Sequence, residues 1–343
     1  MIRKRNIRNI GHCDRAVMVS KAILITIIIS FLLTACAGQS VEGLDGELTK
    51  INLPMGYIPN VQYAPFYVAD DLGYFAEQGL EIDFNYQTEI DGTNLVGAGE
   101  NPFALVSGEQ VLLARAQGIP VVNILGWWQD YPVALAVSSQ SGIRELADLK
   151  GKKIGLPGPY GASYVGLRAL LNAAGLQESD VTLDSIGYNQ VEALISGRDD
   201  AVVVYANNEP VQLKSIGYQA QIFPVKDYVN LSSNGVITNE KTIAENPELV
   251  RRFNQAVLQG LQDTLEDPGM AFNVSKKYIE GLQESDWMTQ YQVLLNSIEY
   301  WKAKELGASN PQAWENMQAV LLDMGLLKKP LDLSKAFTNE FIR

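Results

Sequence analysis

Lys50-Ile-Asn-Leu-Pro-Met-Gly-Tyr-Ile-Pro-Asn-Val-Gln-Tyr-Ala-Pro-Phe-Tyr-Val-Ala69, followed by Leu72-Gly-Tyr-Phe75 and Gly79-Leu-Glu81, is the stretch that decides the fold. Residues 50–57 are apolar enough to read as a strand. A loop carrying Pro59 and Asn60 ends it. The spacing then predicts a helix over 64–78, closed by Gly79, since glycine is favoured just past a helix end. A second strand over 81–86 follows at once. Strand, helix and strand in this order make a βαβ unit, the building block of α/β layer folds.

The same alternation continues outward. Further strands are expected over 103–107, 121–126, 133–137, 153–156, 181–186, 201–205, 221–224 and 236–238. Helices over 110–117, 163–174, 190–196 and 209–216 separate them. Such a chain should build an α/β fold from mostly parallel strands. From residue 247 the pattern turns helical to the end. Asn246-Pro247-Glu248 reads as an N-cap with proline at the first helical position, and Asn310-Pro311 repeats it. Leu249, Phe253, Val257, Leu258 and Leu261 fall at helical spacing and read as core. There is no internal repeat and no low-complexity tract.

At the other end, Arg3, Lys4, Arg5, Arg8, Arg15 and Lys21 precede an apolar run over 22–33. That run spans about 12 residues, where a membrane span needs roughly 20. A basic start, a short apolar core and small residues make a signal peptide over 1–35. Met18 offers an alternative start that changes nothing in this reading. Leu33-Thr-Ala-Cys36 resembles the lipobox of bacterial lipoproteins. The resemblance implies that Cys36 becomes an acylated N-terminus, anchored at the outer face of the cell membrane. Residues 36–49, small and polar, would be the lipidated end and a flexible tether.

Cleavage before Cys36 removes Cys13 and His12, the only histidine. The mature chain then has no intrachain disulfide, no Cys/His zinc site, no thiol nucleophile away from its lipidated end and no Ser-His-Asp triad. Catalysis is disfavoured, and no catalytic residue, metal ligand or cofactor is assigned. The leader carries six of the 27 Lys and Arg residues and one of the 39 Asp and Glu. That leaves 21 basic against 38 acidic residues, a net charge of −17. So acidic a surface argues against nucleic acid. About 300 residues exceed the usual single domain, so two lobes are expected.

Three stretches carry a family resemblance: residues 56–81, Leu146-Ala-Asp-Leu-Lys-Gly-Lys-Lys-Ile-Gly155, and Asn246-Pro247 through Ala256. Together they resemble the periplasmic binding proteins related to the thiamine-pyrimidine biosynthesis enzymes. That family includes the sulfonate, nitrate and taurine binders of ABC importers. Within it, the opening stretch and Gly126-Trp-Trp-Gln-Asp-Tyr-Pro132 most resemble the riboflavin-binding lipoproteins. Their relatives bind aminopyrimidine precursors of thiamine. The resemblance implies a two-lobe, type II-like clamshell with two crossover strands and a helical C-terminal segment. Lobe 1 would be residues 50–137 plus 235–343, and lobe 2 residues 138–234. Crossovers would fall near 137–138 and 228–235. The implied partners are riboflavin or a related heteroaromatic vitamin, and the permease and ATPase subunits of an importer, with the protein acting as a monomer. The related pyrimidine synthases use a protein histidine, which the mature chain lacks.

In such a fold ligands sit at the carboxyl ends of strands. The candidates after strands of lobe 1 are Asn60, Tyr63, Ser107, Glu109, Trp127, Trp128, Gln129 and Tyr131. In lobe 2 they are Tyr160, Ser163, Tyr188, Tyr205, Asn207, Asn208 and Glu209. Consecutive residues in a strand face opposite ways, so only one of Trp127 and Trp128 should reach the cleft. These residues are aromatics and hydrogen-bonding groups without arginine. They suit a planar heterocycle held by stacking, with amides, hydroxyls and a carboxylate reading its edges. An anion would need fixed positive charge or the bare helix start at 161–163. Tyr160 also fits a turn, and Asn207-Asn208 an N-cap. Asp70-Asp71 and Asp199-Asp200 read as solvated surface. Gly151, Gly155, Gly158 and Gly161 lack the spacing of a phosphate loop.

Overall fold

A computed structural model of the chain describes residues 48–342. The leader, Cys36 and the tether up to 47 lie outside the described residues. β1 (Thr49–Gly56) pairs parallel to β2 (Leu80–Thr88), with Ile51 opposite Ile82 and Leu53 opposite Phe84. Between them the expected single helix is two, α1 (Ala64–Asp71) and α2 (Tyr74–Glu77). Gly73, at φ 83°, turns the chain between them in a conformation that only glycine adopts freely. α3 (Glu89–Ala98) has no counterpart in the sequence reading, because Gly92 and Gly97 weaken its helical pattern. Its start is fixed by Thr88, whose hydroxyl accepts from the Asp91 N–H. β3 (Ala104–Val106), α4 (Gly108–Ala116) and β4 (Val121–Gly126) complete the first half of the first lobe.

The chain then crosses over 127–132 into a five-stranded sheet. Its elements are β5 (Val133–Ser138), β6 (Lys153–Leu156), α5 (Gly161–Ala173), β7 (Thr182–Ser185), α6 (Gln190–Ile195), β8 (Ala201–Tyr205), α7 (Glu209–Ser215) and β9 (Ala220–Pro224). The strand order is β7-β6-β8-β5-β9. Leu135 lies opposite Val203 on one side and Phe223 on the other. Residues 133–137 therefore belong with the second lobe, and the boundary at 137–138 is corrected to 127–132. The polar loop Gln129-Asp-Tyr-Pro132, not the strand after it, is where the chain changes lobes.

Residues 225–234 bring the chain back to β10 (Gly235–Asn239), which inserts between β3 and β4. β10 is antiparallel to both neighbours, and β5 is antiparallel to β8 and β9. The sheets are thus mixed where mostly parallel strands were expected. The two exceptions are the strands that enter from the other lobe, so no helix on their own sheet returns them in parallel.

Five helices follow: α8 (Glu240–Glu245), α9 (Pro247–Glu266), α10 (Pro268–Ser275), α11 (Trp287–Trp301) and α12 (Pro311–Asp323). Asn246 accepts from the Leu249 N–H and Asn310 from the Gln312 N–H, so both Asn-Pro pairs are caps. Leu249, Phe253, Val257 and Leu261 line the buried face of α9, and Phe253 stacks on Phe103 at 4.1 Å. One core fills the first lobe and reaches Val211 of α7 in the second. A second runs from Val111 and Val121 through Leu135 and Leu170 to Trp314 and Leu321 of α12. α12 thus straps the back of the hinge, packing on α4 of one lobe and α5 of the other.

Of each aspartate pair one member is exposed as expected, Asp71 and Asp200, and the reading is corrected for the other. Asp199 is buried, 3.3 Å from the Lys153 ammonium, and Asp70 accepts from the Tyr278 hydroxyl. Among the described residues no helix is long and apolar enough to cross a membrane.

α9 approaches α1 at Gly260. A Cβ there would come 2.2 Å from the Pro65 carbonyl oxygen and 2.8 Å from the Ala69 Cβ. Backbone on both sides leaves no room to yield. Gly260→Ala should cost about 1–3 kcal/mol, read in urea unfolding as a lower midpoint at unchanged slope.

Candidate functional site

The strand ends of both lobes and the two crossovers enclose one cavity of about 290 Å³. That is near the lower end of the roughly 300–1,000 Å³ common for small-molecule sites. The first lobe contributes Tyr57 just after β1, Gln62 and Tyr63 on a short 3₁₀ turn, and Glu89 after β2. Trp127 and Trp128 come from the first crossover, and Asn234 from the second. The second lobe contributes Tyr160 to Ser163, Tyr188, Gln190, Tyr205, Asn208 and Glu209.

Of the sequence candidates, Tyr63, Trp127, Trp128, Tyr160, Ser163, Tyr188, Tyr205, Asn208 and Glu209 reach this wall. Six do not. Tyr131 is fully buried, its hydroxyl donating to the Ala162 carbonyl at 2.9 Å. Asn60 caps the 3₁₀ turn, its carboxamide oxygen accepting from the Gln62 N–H at 3.0 Å. Ser107 and Glu109 are buried behind the wall, hydrogen-bonded to one another. Gln129 donates back to the Gly126 carbonyl and borders a separate hinge cavity of about 20 Å³. Asn207 is spent across the cleft, donating to Gln62 Oε1 and Ser297 Oγ, each at 2.8 Å. Being near a strand end is therefore not enough, because helix starts and cross-lobe contacts claim the same polar residues.

Both tryptophans reach the wall, against the expectation of one. β4 ends at Gly126, so strand alternation no longer applies. The Trp128 N–H donates to the Asn234 carbonyl, and the Gln129 N–H to the Tyr300 carbonyl. These bonds turn the chain so that both rings face inward. Tyr63 stacks on Trp127 with centroids 5.5 Å apart, its hydroxyl held by the Met55 carbonyl. Trp128 meets Tyr205 edge-on at 6.2 Å. At the mouth Tyr57 and Tyr188, one from each lobe, touch edge-to-face at 4.9 Å. Tyr160 and Tyr188 are 57% and 58% exposed, free to be covered by a bound ring.

Of the three acids at the site, Glu109 and Glu209 were expected after strands, and Glu89 was not. Glu89 accepts from the Ser107 N–H at 2.9 Å, from the Ser107 hydroxyl and from the Asn234 amide. Ser107 also bridges to Glu109, so two carboxyl groups converge on one hydroxyl. Burial, then the Glu89 charge, pushes Glu109 up to about 8, and burial raises Glu89. In the second lobe Glu209 accepts from the Tyr205 N–H at 2.9 Å and from the Asn208 amide at 3.2 Å. Burial pushes it up to about 7. Among the described residues, no lysine, arginine or histidine lines the wall. Trp127 Nε1 and Asn234 Oδ1 are buried without a partner among the described residues. A donor and an acceptor left bare on a cavity wall await a polar group or water.

Such a cavity can hold a flat ring between aromatic faces and read its edges by hydrogen bonds. Comparison with known proteins fits this geometry. Residues 60–271, more than half of the chain, match the family described as NMT1/THI5 like. The chain belongs to the NMT1/THI5-like family. Over 95% of its length it is 37% identical to the riboflavin-binding protein RibY of Chloroflexus aurantiacus, covering 98% of that protein. It is 27% identical to a formylaminopyrimidine-binding protein of Halalkalibacterium halodurans, over 92% of this chain and 98% of that one. The alkanesulfonate-binding protein SsuA of Xanthomonas axonopodis pv. citri superposes with a TM-score of 0.67 at 16% identity, over 86% of this chain and 99% of that one. This NMT1/THI5-like chain therefore has the two-lobe clamshell of periplasmic binding proteins, and the cavity lies in its cleft.

Proposed function

We propose that the protein is the solute-binding component of an ABC importer, and that it captures riboflavin and hands it to the membrane permease. The observation that carries this is a cleft with stacking tryptophan and tyrosine rings from both lobes and no cationic side chain. Flat aromatic faces hold a three-ring flavin, and the amides and acids pair with its N–H, C=O and ribityl hydroxyl groups. The relation to a protein named as riboflavin-binding supports the same ligand. The mature chain acts without catalysis, which the loss of its sole histidine with the leader supports. It works as a monomer at the extracytoplasmic face, held by a lipid on Cys36.

A thiamine aminopyrimidine precursor is the second reading. The modest cavity volume favours it, as does the relation to a formylaminopyrimidine-binding protein.

Titrating the protein, expressed from Ala37 onward, with riboflavin tests the choice. Stacking should quench flavin and tryptophan emission together, saturably, at concentrations on the order of micromolar. An unquenched flavin would move the assignment to the aminopyrimidine, followed next by thermal shift.

A further inference from the structure

We propose that Glu89 and Glu209 make the cleft select against anions, so that it accepts a neutral heteroaromatic alcohol and rejects the phosphate monoester of that alcohol. The inference rests on the heteroaromatic-vitamin reading above and adds the charge state of the ligand.

The two acids are placed alike, one in each lobe. Each carboxylate is pinned by the backbone N–H of a strand-end residue, Ser107 for Glu89 and Tyr205 for Glu209. Each takes a second bond from an asparagine amide that also lines the cavity, Asn234 and Asn208. Neutral donors hold the oxygens in place without cancelling their charge. Among the described residues neither acid forms an ion pair, and no cationic side chain lines the wall to offset them. Glu109 adds a third carboxyl directly behind Ser107. Burial first, and then the charges of Glu89, Glu109 and Glu209, favour the neutral form of the Tyr205 phenol on the wall.

One feature works the other way. α5 starts on the wall at Gly161 with no side-chain cap, and a helix start carries about half a positive charge. That is less than the two carboxylates together once Glu89 and Glu209 are ionised. A phosphate entering the cleft would lose water and find no cation to replace it. The protein therefore stands after a phosphomonoester hydrolysis, the class of reaction that must supply its ligand whenever the vitamin arrives phosphorylated.

Calorimetric titration at pH 8.5, where Glu209 is ionised and a phosphate monoester carries two charges, reads this directly. The ligands are riboflavin, riboflavin 5′-phosphate and riboflavin 5′-acetate, the last a neutral ester of similar bulk. The phosphate should bind at least about 30-fold more weakly than riboflavin, and the acetate within about threefold of it. Glu89→Gln and Glu209→Gln should each shrink the phosphate penalty several-fold. Using the ratio of the two ligands removes any general loss of affinity. Circular dichroism checks folding, and Glu209→Gln carries the test if Glu89→Gln does not fold. Equal binding of the phosphate overturns the inference, as does an acetate rejected equally strongly, or a ratio that neither variant moves. If riboflavin itself does not bind, the riboflavin reading falls. The same ratio is then taken on hydroxymethylpyrimidine and its phosphate, where equal binding overturns the charge inference independently.

Discussion

Trp127→Ala should unfold about 3–5 kcal/mol more easily than the parent protein and lose its ring-stacking ligand site. Trp127 is 3% exposed and is the ring on which the others meet. It stacks on Tyr63, takes the edge of Phe66 at 5.2 Å, and lies 5.9 Å from Trp301 and 5.5 Å from Trp128. Truncation leaves a hole lined by four large rings fixed by their own neighbours, so collapse can recover little of the loss. Urea unfolding measures the stability. Flavin quenching, taken at a temperature where the variant is still folded, measures the site separately. Trp127→Phe keeps a stacking face and should restore most of the stability and part of the quenching. A Trp127→Ala protein of parental stability would mean that the ring is not the keystone of this wall.

Raising the pH from 5 to 9 should destabilise the protein by an amount on the order of a few kcal/mol, and Glu109→Gln should remove the largest single share of that slope. Glu109 ionises near 4.5 in the unfolded chain and near 8 in the fold, because burial and the Glu89 charge oppose its ionisation. Between those values the folded protein holds a proton that the unfolded chain has released. Stability therefore falls with rising pH, since the unfolded state binds fewer protons. It is full below about 4.5, is lost progressively, and levels off above about 8. Each tenfold in proton affinity is worth about 1.4 kcal/mol, which sets the scale. Glu209, with its upper limit near 7, contributes in the same direction over a narrower window. Melting temperatures across this range, for the parent and for Glu109→Gln, measure the slope. A stability that rises over the same interval would refute the buried, protonated acid.

The order of strands and helices was legible because alternation in the sequence is a local property. β4, β6 and β8 fall where the apolar runs put them. α3 was not, since two glycines inside it hide a helix that packing sustains. In the cleft, Tyr63, Tyr160, Tyr188 and Tyr205 were legible because an aromatic residue after a strand has few other places to go. Glu89, Gln62 and Asn234 were not. Glu89 opens a helix the sequence conceals, Gln62 is oriented by Asn207 from the other lobe, and Asn234 reaches the wall only because the second crossover passes Glu89. Ser107 and Glu109 read as cleft residues for the right reason, yet they face one another behind it.

α12 also gives the molecule an order of assembly. Trp314, Met317 and Leu321 fill a core whose other walls include Val111 and Leu170. The backbone N–H of Asn123 has its partner in the carbonyl of Ala336. Contacts so far apart in sequence are slow to form, because a long loop must close before they reward it. The shared core therefore closes only once α12 has docked, and the hinge is the part of the molecule that is locked last.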